Sequence, residues 1–185
     1  MVWNGPGSGG TETYYALSTN GGGTFSAPSL VRSGAANGGY SANNATSPVV
    51  AADGSGNVYV AFSAFTKDTS SNFVGYNIWV SQSTNGGSSF QSEALINAVS
   101  SAQKVPVRIR ATTSNVYVFF RDETNYDLYF VRRNSSGTAV SSRRVNPVSG
   151  AFLGSADLAV GANETRFFRV SCGQVLAMGV GRPPA

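Results

Sequence analysis

The sequence of 185 residues predicts an all-β protein built from repeated antiparallel sheets, and three observations lead to that prediction. Short apolar runs rich in Val, Tyr and Phe alternate with turns rich in Gly, Asn and Ser, which is typical of strands joined as hairpins. No segment shows a convincing helical periodicity of apolar residues. The third observation is an internal repeat, which indicates that one structural unit occurs several times along the chain.

Two repeated units are interleaved in the sequence. The first is a glycine-rich turn, Ser18–Phe25 (STNGGGTF), which returns 65 residues later as Ser83–Phe90 (STNGGSSF). The second is a pair of apolar runs joined by a polar turn, and it occurs at 48–62, 106–120 and 156–170. Both units are predicted hairpins, because β-branched and aromatic residues flank turns of Gly, Asn and Asp.

The two units together define the predicted strands. In chain order these span residues 13–18, 24–32, 48–52, 57–63, 76–82, 90–96, 106–111, 115–121, 127–133, 139–145, 156–160 and 165–171, with 174–179 as a candidate further strand and Val2–Trp3 as the tail of an earlier one. Four-stranded units repeated along a chain are typical of β-propeller blades. We therefore predict an all-β propeller segment of four-stranded antiparallel blades, with about three blades' worth of strands in this chain.

The predicted segment is a single domain over residues 1–185. Its parts are a partial blade at 1–32, a blade at 47–96, a blade at 105–145 and a partial blade at 154–180. Three blades cannot close a ring of the usual four to eight. The chain is therefore expected either to be a piece of a longer propeller or to form a homo-oligomer, with a six-bladed dimer favoured.

The glycine-rich turns resemble the Asp-box, the bacterial neuraminidase repeat, whose pattern is Ser-x-Asp-x-Gly-x-Thr-Trp/Phe. The turn residues that match the pattern are Ser18, Asn20, Gly22, Thr24 and Phe25 in the first copy and Ser83, Asn85, Gly87, Ser89 and Phe90 in the second. Asn stands in both copies where the family has Asp, and a third, degraded copy keeps only Asn134, Gly137 and Thr138. The short polar side chain is expected to accept backbone N–H groups across the turn, and the last aromatic residue to pack beneath it.

The resemblance implies a sialidase-like propeller in which these turns lie on the rim, away from the catalytic face. The family carries its chemistry on the opposite connections, with three arginines for a carboxylate, a Tyr/Glu pair and an Asp acid/base. The candidate ligand-binding residues at that end of this chain are Arg108, Arg110, Arg121, Asp122, Glu123 and Tyr126, with Tyr40, Lys67 and Asp68 in the matching loops of the preceding blade. The catalytic set cannot be assigned residue by residue, and Arg–carboxylate pairs at strand ends are the simpler interpretation.

Composition restricts the chemistry further. The chain contains no His and one Cys, Cys172, which excludes catalytic triads that need imidazole, two-histidine zinc sites and paired-cysteine zinc ribbons. No metal site and no cofactor is predicted. Residues 1–100 carry a net charge of −2 and residues 101–185 one of +6, but the arginines alternate with apolar residues along strands, so no nucleic-acid partner is predicted. No apolar run is long enough for a membrane span.

The leading functional hypothesis is a non-catalytic extracellular or cell-surface module for recognition or assembly. A polar composition poor in Lys, the degenerate turns and the incomplete catalytic set favour it, and an anionic glycan is the predicted ligand. An exo-sialidase or related glycoside hydrolase is the first alternative, and a structural self-assembling subunit is the second. Two adjacent carboxylates, Asp122 and Glu123, point to opposite sides of an extended segment, which makes them poor partners for glycoside cleavage.

Overall fold

The fold was analysed in a computed structural model of the chain. The structure describes residues 1–7, 10–32, 36–134, 139–146, 148–150, 156–161 and 166–170, with only the backbone of 139–141 and 166–170. These residues form thirteen strands and, within those ranges, no helix, so the predicted all-β class is confirmed. No helix of the described residues is long and apolar enough to cross a membrane.

The strands assemble into four antiparallel sheets that follow one another along the chain. Sheet 1 has the order β1-β2-β3, sheet 2 has β4-β5-β6-β7, sheet 3 has β11-β10-β9-β8, and sheet 4 pairs β12 with β13. The strands are β1 (Val2–Gly7), β2 (Gly10–Tyr15), β3 (Ser29–Leu30), β4 (Ser41–Ala52), β5 (Val58–Lys67), β6 (Phe73–Ser83), β7 (Ala94–Leu95), β8 (Lys104–Ala111), β9 (Asn115–Asp122), β10 (Asp127–Asn134), β11 (Ala139–Arg144), β12 (Ala156–Val160) and β13 (Arg166–Val170). Sheets 2 and 3 thus have the predicted four strands in sequential order.

Several strands differ from their predicted extent; β2, for example, spans Gly10–Tyr15 where the sequence predicts 13–18. The first strand of sheet 2 begins at Ser41, seven residues earlier than predicted, because its register shifts at two irregularities. Positive φ angles at Asn44 and Ser47 accompany these shifts and let the extra residues pair. The outer strands β3 and β7 are only two residues long, although single backbone hydrogen bonds on either side of each continue the pairing. The candidate strand at 174–179 lies outside the described residues.

Successive sheets stack face to back. We call the face of a sheet that turns toward the next sheet its front face, and the opposite one its back face. The core between sheets 2 and 3 is formed by the front face of sheet 2 and the back face of sheet 3. Sheet 2 contributes Tyr59, Ala61, Ile78, Val80 and Ile96, and sheet 3 contributes Ile109, Val116, Val118, Phe120 and Val131. The other two junctions repeat this arrangement. Sheet 1 packs against the back face of sheet 2, at Val60, Phe62 and Trp79. Ala156 of sheet 4 packs against the front face of sheet 3, at Phe119, Leu128 and Phe130.

The first strands of successive sheets lie side by side. Strand β8 contacts β4 on one side and β12 on the other, and each is the edge strand of its own sheet. Arg108 on β8 and Asp157 on β12 are exposed where these two strands adjoin. Stacked sheets with adjoining first strands are a blade-like arrangement.

Candidate functional site

The two glycine-rich turns have the same hydrogen-bond pattern. In the first, Ser18 Oγ donates to Asn20 Oδ1 (2.9 Å) and accepts the N–H of Gly22 (2.8 Å). Asn20 Oδ1 also accepts the N–H of Thr24 (2.9 Å), and Asn20 Nδ2 donates to Thr24 Oγ1 (2.9 Å). The predicted role of the third residue, as an acceptor of a backbone N–H across the turn, is therefore confirmed.

The second turn reproduces each of these contacts. Ser83 Oγ donates to Asn85 Oδ1 (2.8 Å) and accepts the N–H of Gly87 (2.9 Å). Asn85 Oδ1 accepts the N–H of Ser89 (3.0 Å), and Asn85 Nδ2 donates to Ser89 Oγ (2.9 Å). Gly22 and Gly87 both have positive φ, at 95° and 89°, so the two turns share a backbone geometry as well.

The aromatic residues that close the two turns lie in different surroundings. Phe90 packs edge-on against Tyr15 of sheet 1, with ring centroids 4.8 Å apart. Phe25, its equivalent, is 47% exposed. Phe90 thus packs against a neighbouring sheet, and no described sheet lies behind sheet 1 to cover Phe25 in the same way. That each aromatic residue packs beneath its own turn stays a prediction.

Arg108 and Arg110 converge on one carboxylate. Strand alternation puts both on one face of β8, where Arg108 Nε lies 3.2 Å and Arg110 Nη2 lies 3.9 Å from Oδ1 of Asp157 on β12. All three side chains are about half exposed, at 49%, 46% and 57%. The N–H of Leu158 and the two guanidinium groups hold the pKa of the Asp157 carboxyl below its usual value, although burial acts in the other direction.

The other predicted site residues form a separate group at the end of β9. Arg121 pairs with Glu123, and Asp122 is bound within its own turn, where Oδ1 accepts the N–H groups of Thr124 (2.9 Å) and Asn125 (3.1 Å). Tyr126 is 48% exposed and has a positive φ of 53°. The six candidates therefore divide into Arg108 and Arg110 on the exposed row of β8, and the remaining four around the β9–β10 turn.

Each of the first three sheets also contains a polar contact that sequence reasoning missed. We call it the latch: the side chain of the residue two positions after the outer strand contacts a residue of the strand that pairs with the outer strand. In sheet 2, Asn97 Oδ1 accepts the N–H of Ile78 (2.6 Å), and its Nδ2 donates to Asn77 Oδ1 (2.9 Å). In sheet 3, Asn146 makes the same two contacts with the Leu128 N–H (2.8 Å) and Asp127 (2.8 Å).

The latch of sheet 1 is an ion pair. Arg32 forms a two-pronged contact with the buried Glu12, and its Nη1 donates to the carbonyl of Ala42 in sheet 2 (2.9 Å). Arg32 and Asn97 are 65 residues apart, as are Glu12 and Asn77. A comparison of all positions 65 residues apart, including those outside the glycine-rich turns where the residue types differ, could therefore have predicted the latch.

A buried lysine connects sheets 2 and 3. Lys104, 6% exposed, donates from Nζ to Asn77 Oδ1 (3.1 Å) and to Ser100, while its own carbonyl accepts the hydroxyl of Ser63 (2.6 Å). Burial lowers the pKa of the Lys104 ammonium, and the charge of Asp122 partly offsets that effect. The contacts tie the start of β8 to the latch of the preceding sheet, which is a structural arrangement.

Three aromatic rings form a half-exposed cluster at the tip of the β5–β6 hairpin. Phe65 stacks on Phe73 at 4.2 Å, and Tyr76 lies edge-on to both. Lys67 Nζ lies 5.8 Å from the Phe65 ring centroid, within reach of a cation–π contact. Sequence reasoning named Lys67 but missed the rings, whose alternating positions on paired strands are the signal.

No model of a protein family matches the chain, and no curated protein matches it. Within the described ranges, no three His, Cys, Asp or Glu side chains come together as a group that could hold a metal ion.

Proposed function

We propose that this chain is a segment of a sialidase-like β-propeller of the Asp-box type, which acts as a non-catalytic recognition module at or outside the cell surface. Three features support the propeller: sheets 2 and 3 have sequential strand order, all junctions stack face to back, and β4, β8 and β12 adjoin. The identical hydrogen-bond patterns of the two glycine-rich turns support the Asp-box assignment.

The observation that carries the recognition function is the convergence of Arg108 and Arg110 on Asp157. Two guanidinium groups share one carboxylate there, so the group has one excess positive charge and is open to solvent. A guanidinium binds a carboxylate through directed, charge-assisted hydrogen bonds. The carboxylate of an acidic glycan would take the place that Asp157 occupies, and the ligand class is therefore a carboxylated sugar.

The surroundings of the other candidates favour binding over hydrolysis. Glycoside cleavage needs two carboxyl groups that flank one bond. Glu123 is neutralised by Arg121, and both carboxylate oxygens of Asp122 accept hydrogen bonds within its turn. Neither carboxyl group is free to act as an acid, a base or a nucleophile in this arrangement.

The test compares binding of 3′-sialyllactose and of neutral lactose by isothermal titration calorimetry. Arg108→Ala combined with Arg110→Ala should weaken binding of the sialylated sugar by about tenfold or more, since each charge-assisted hydrogen bond contributes about 1.5–3 kcal/mol. Asp157→Asn should strengthen that binding, because it removes the competing carboxylate. Arg143→Ala, which removes an exposed arginine on β11, is the matched control and should change nothing.

Equal affinity of the double variant and the unmodified chain for 3′-sialyllactose would refute the site. A fluorogenic sialoside separates recognition from catalysis: turnover that Arg108→Ala abolishes would favour the exo-sialidase alternative. No turnover under conditions where 3′-sialyllactose binds would favour the recognition module.

A further inference from the structure

An amine and a carboxamide are in contact inside the protein, at Lys104 and Asn77. Lys104 Nζ is 3.1 Å from Asn77 Oδ1 and therefore within about 4.3 Å of Asn77 Cγ, because a C=O bond is about 1.2 Å long. Asn77 is fully buried, and Lys104 is buried almost completely. Asn77 lies on β6 of sheet 2 and Lys104 on β8 of sheet 3, so a bond between their side chains would join two sheets.

Backbone contacts hold the two side chains next to each other. Tyr76 forms a parallel bridge with Gln103. These residues directly precede Asn77 and Lys104, so the bridge fixes the spacing of the two strands at this point. The carbonyl of Lys104 also accepts the hydroxyl of Ser63 on β5. Groups that a fold holds side by side react far faster than the same groups free in solution, because little freedom remains to be lost.

The oxygen of the Asn77 carboxamide accepts two neutral hydrogen bonds besides the one from the lysine. Asn97 Nδ2 donates to Asn77 Oδ1 over 2.9 Å, and the N–H of Ser100 donates to it over 3.4 Å. Donors aimed at a carbonyl oxygen stabilise the negative charge that develops there when a nucleophile adds to the carbon. The latch of sheet 2 thus also polarises the carboxamide toward attack.

The surroundings of Lys104 favour its neutral, nucleophilic form. Burial lowers the pKa of the ammonium, and the charge of Asp122, which pairs with Lys104 across β8 and β9, partly offsets that effect. The neutral amine is the form of lysine that attacks a carbonyl carbon. Ser100 is exposed and its Oγ contacts Nζ, while its carbonyl accepts Asn77 Nδ2 over 3.5 Å. A released proton and a leaving Nδ2 group therefore both face a residue that is open to solvent.

We propose that Lys104 and Asn77 form an intramolecular isopeptide bond after the chain has folded. Nζ adds to Cγ of Asn77, the electron pair of the carbonyl moves to Oδ1, and the adduct collapses as the Cγ–Nδ2 bond breaks. Of the three protons of the ammonium, one stays on the new amide, one moves to Nδ2 and one goes to solvent. Ammonia leaves, and the step needs no other reactant. The bond lies outside the proposed recognition site and does not depend on a ligand.

Intact mass spectrometry of the purified, folded chain tests the bond. The measured mass should be lower than the mass of the sequence by one ammonia, about 17 Da. The chain has two lysines, Lys67 and Lys104, so a lysine-specific endoproteinase gives a second readout. We expect cleavage after Lys67 alone, because a linked Lys104 is no longer a substrate. The fragment 68–185 should carry the whole mass loss, and its fragmentation spectrum should lack ions from single backbone breaks between residues 77 and 104.

Two variants separate the bond from other losses of ammonia. Lys104→Arg removes the amine and should restore the full mass, and Lys67→Arg is the matched control and should keep the loss. A succinimide formed by an asparagine would lose the same mass, but it would persist in Lys104→Arg and leave Lys104 cleavable. Near-ultraviolet circular dichroism checks that Lys104→Arg is folded; if it is not, the fragmentation spectrum of the unmodified chain still locates the link.

A full mass after prolonged incubation of the folded chain would overturn the proposal. A mass loss that leaves Lys104 cleavable, or that survives in Lys104→Arg, would also overturn it. The mass of the chain does not depend on a bound sugar, so this proposal and the proposed function fail separately.

Discussion

Removal of the Asn97 side chain tests whether the latch stabilises its sheet. Asn97 is 8% exposed, and Asn97→Ala would remove its acceptor from the Ile78 N–H and its two donated bonds, to Asn77 Oδ1 and the Ala98 carbonyl (2.7 Å). A buried N–H without a partner costs about 1–3 kcal/mol, and each neutral hydrogen bond contributes about 0.5–1.5 kcal/mol. We expect the free energy of unfolding to fall by about 3 kcal/mol.

Urea unfolding followed by tryptophan emission measures this loss, and a thermal melt should show a decrease in Tm of roughly 6–12 °C for a chain of this size. The matched control is Asn72→Ala. Asn72 is exposed, and its Nδ2 makes one bond of 3.2 Å to Asp68 on a hairpin turn, so its loss should cost less than about 0.5 kcal/mol. If Asn97→Ala costs no more than the control, the latch does not stabilise the sheet and the reasoning is wrong.

Three further predictions concern the other polar contacts. Arg32→Ala leaves Glu12 buried without its cation and should cost about 3–5 kcal/mol by urea unfolding; a loss below 1 kcal/mol would contradict the ion-pair latch. Asn85→Asp keeps the acceptor of its turn and should stay within about 0.5 kcal/mol of the unmodified chain, whereas Asn85→Ala should lose about 1–2 kcal/mol, and equal values for the two would count against the turn network. Burial raises the pKa of Asp127, but hydrogen bonds and a nearby cation outweigh it and hold that pKa below its usual value. The stabilisation that Asp127 contributes is therefore present above about pH 4 and is lost as the pH falls below that. Asp127→Asn should flatten the decline of the free energy of unfolding between about pH 6 and pH 3, and an unchanged slope would refute this.

The local features of the chain were predictable from the sequence. The bonds of the glycine-rich turns join residues within four positions of one another, so a short window of sequence contains both partners. The hairpins at 48–62 and 106–120 were predictable in the same way, from apolar runs rich in β-branched and aromatic residues on either side of a polar turn. The repeat then placed equivalent strands in equivalent sheets.

Features that depend on distant partners were not predictable in this way. Asp157 is 49 residues from Arg108, and only the packing of β12 beside β8 brings the two together. Sheet 1 has an ion pair at the positions where sheet 2 has contacts between amide side chains. The residue types differ between the two copies although the contacts are equivalent, so the repeat is not recognisable from residue type alone. The exposure of Phe25, against the burial of Phe90, likewise depends on whether another sheet lies behind the turn.

The sequence by itself determined the alternation of strands and turns, the strand order within the complete sheets and the conformation of the two glycine-rich turns. Short-range hydrogen bonds and the two-residue period of a strand govern these features, and both can be seen in a few consecutive residues. The tertiary structure alone decided which carboxylate the arginines of β8 meet, how the first three sheets are latched and which apolar face of sheet 1 is exposed. Those outcomes depend on the stacking of sheets, which brings together residues far apart in the chain.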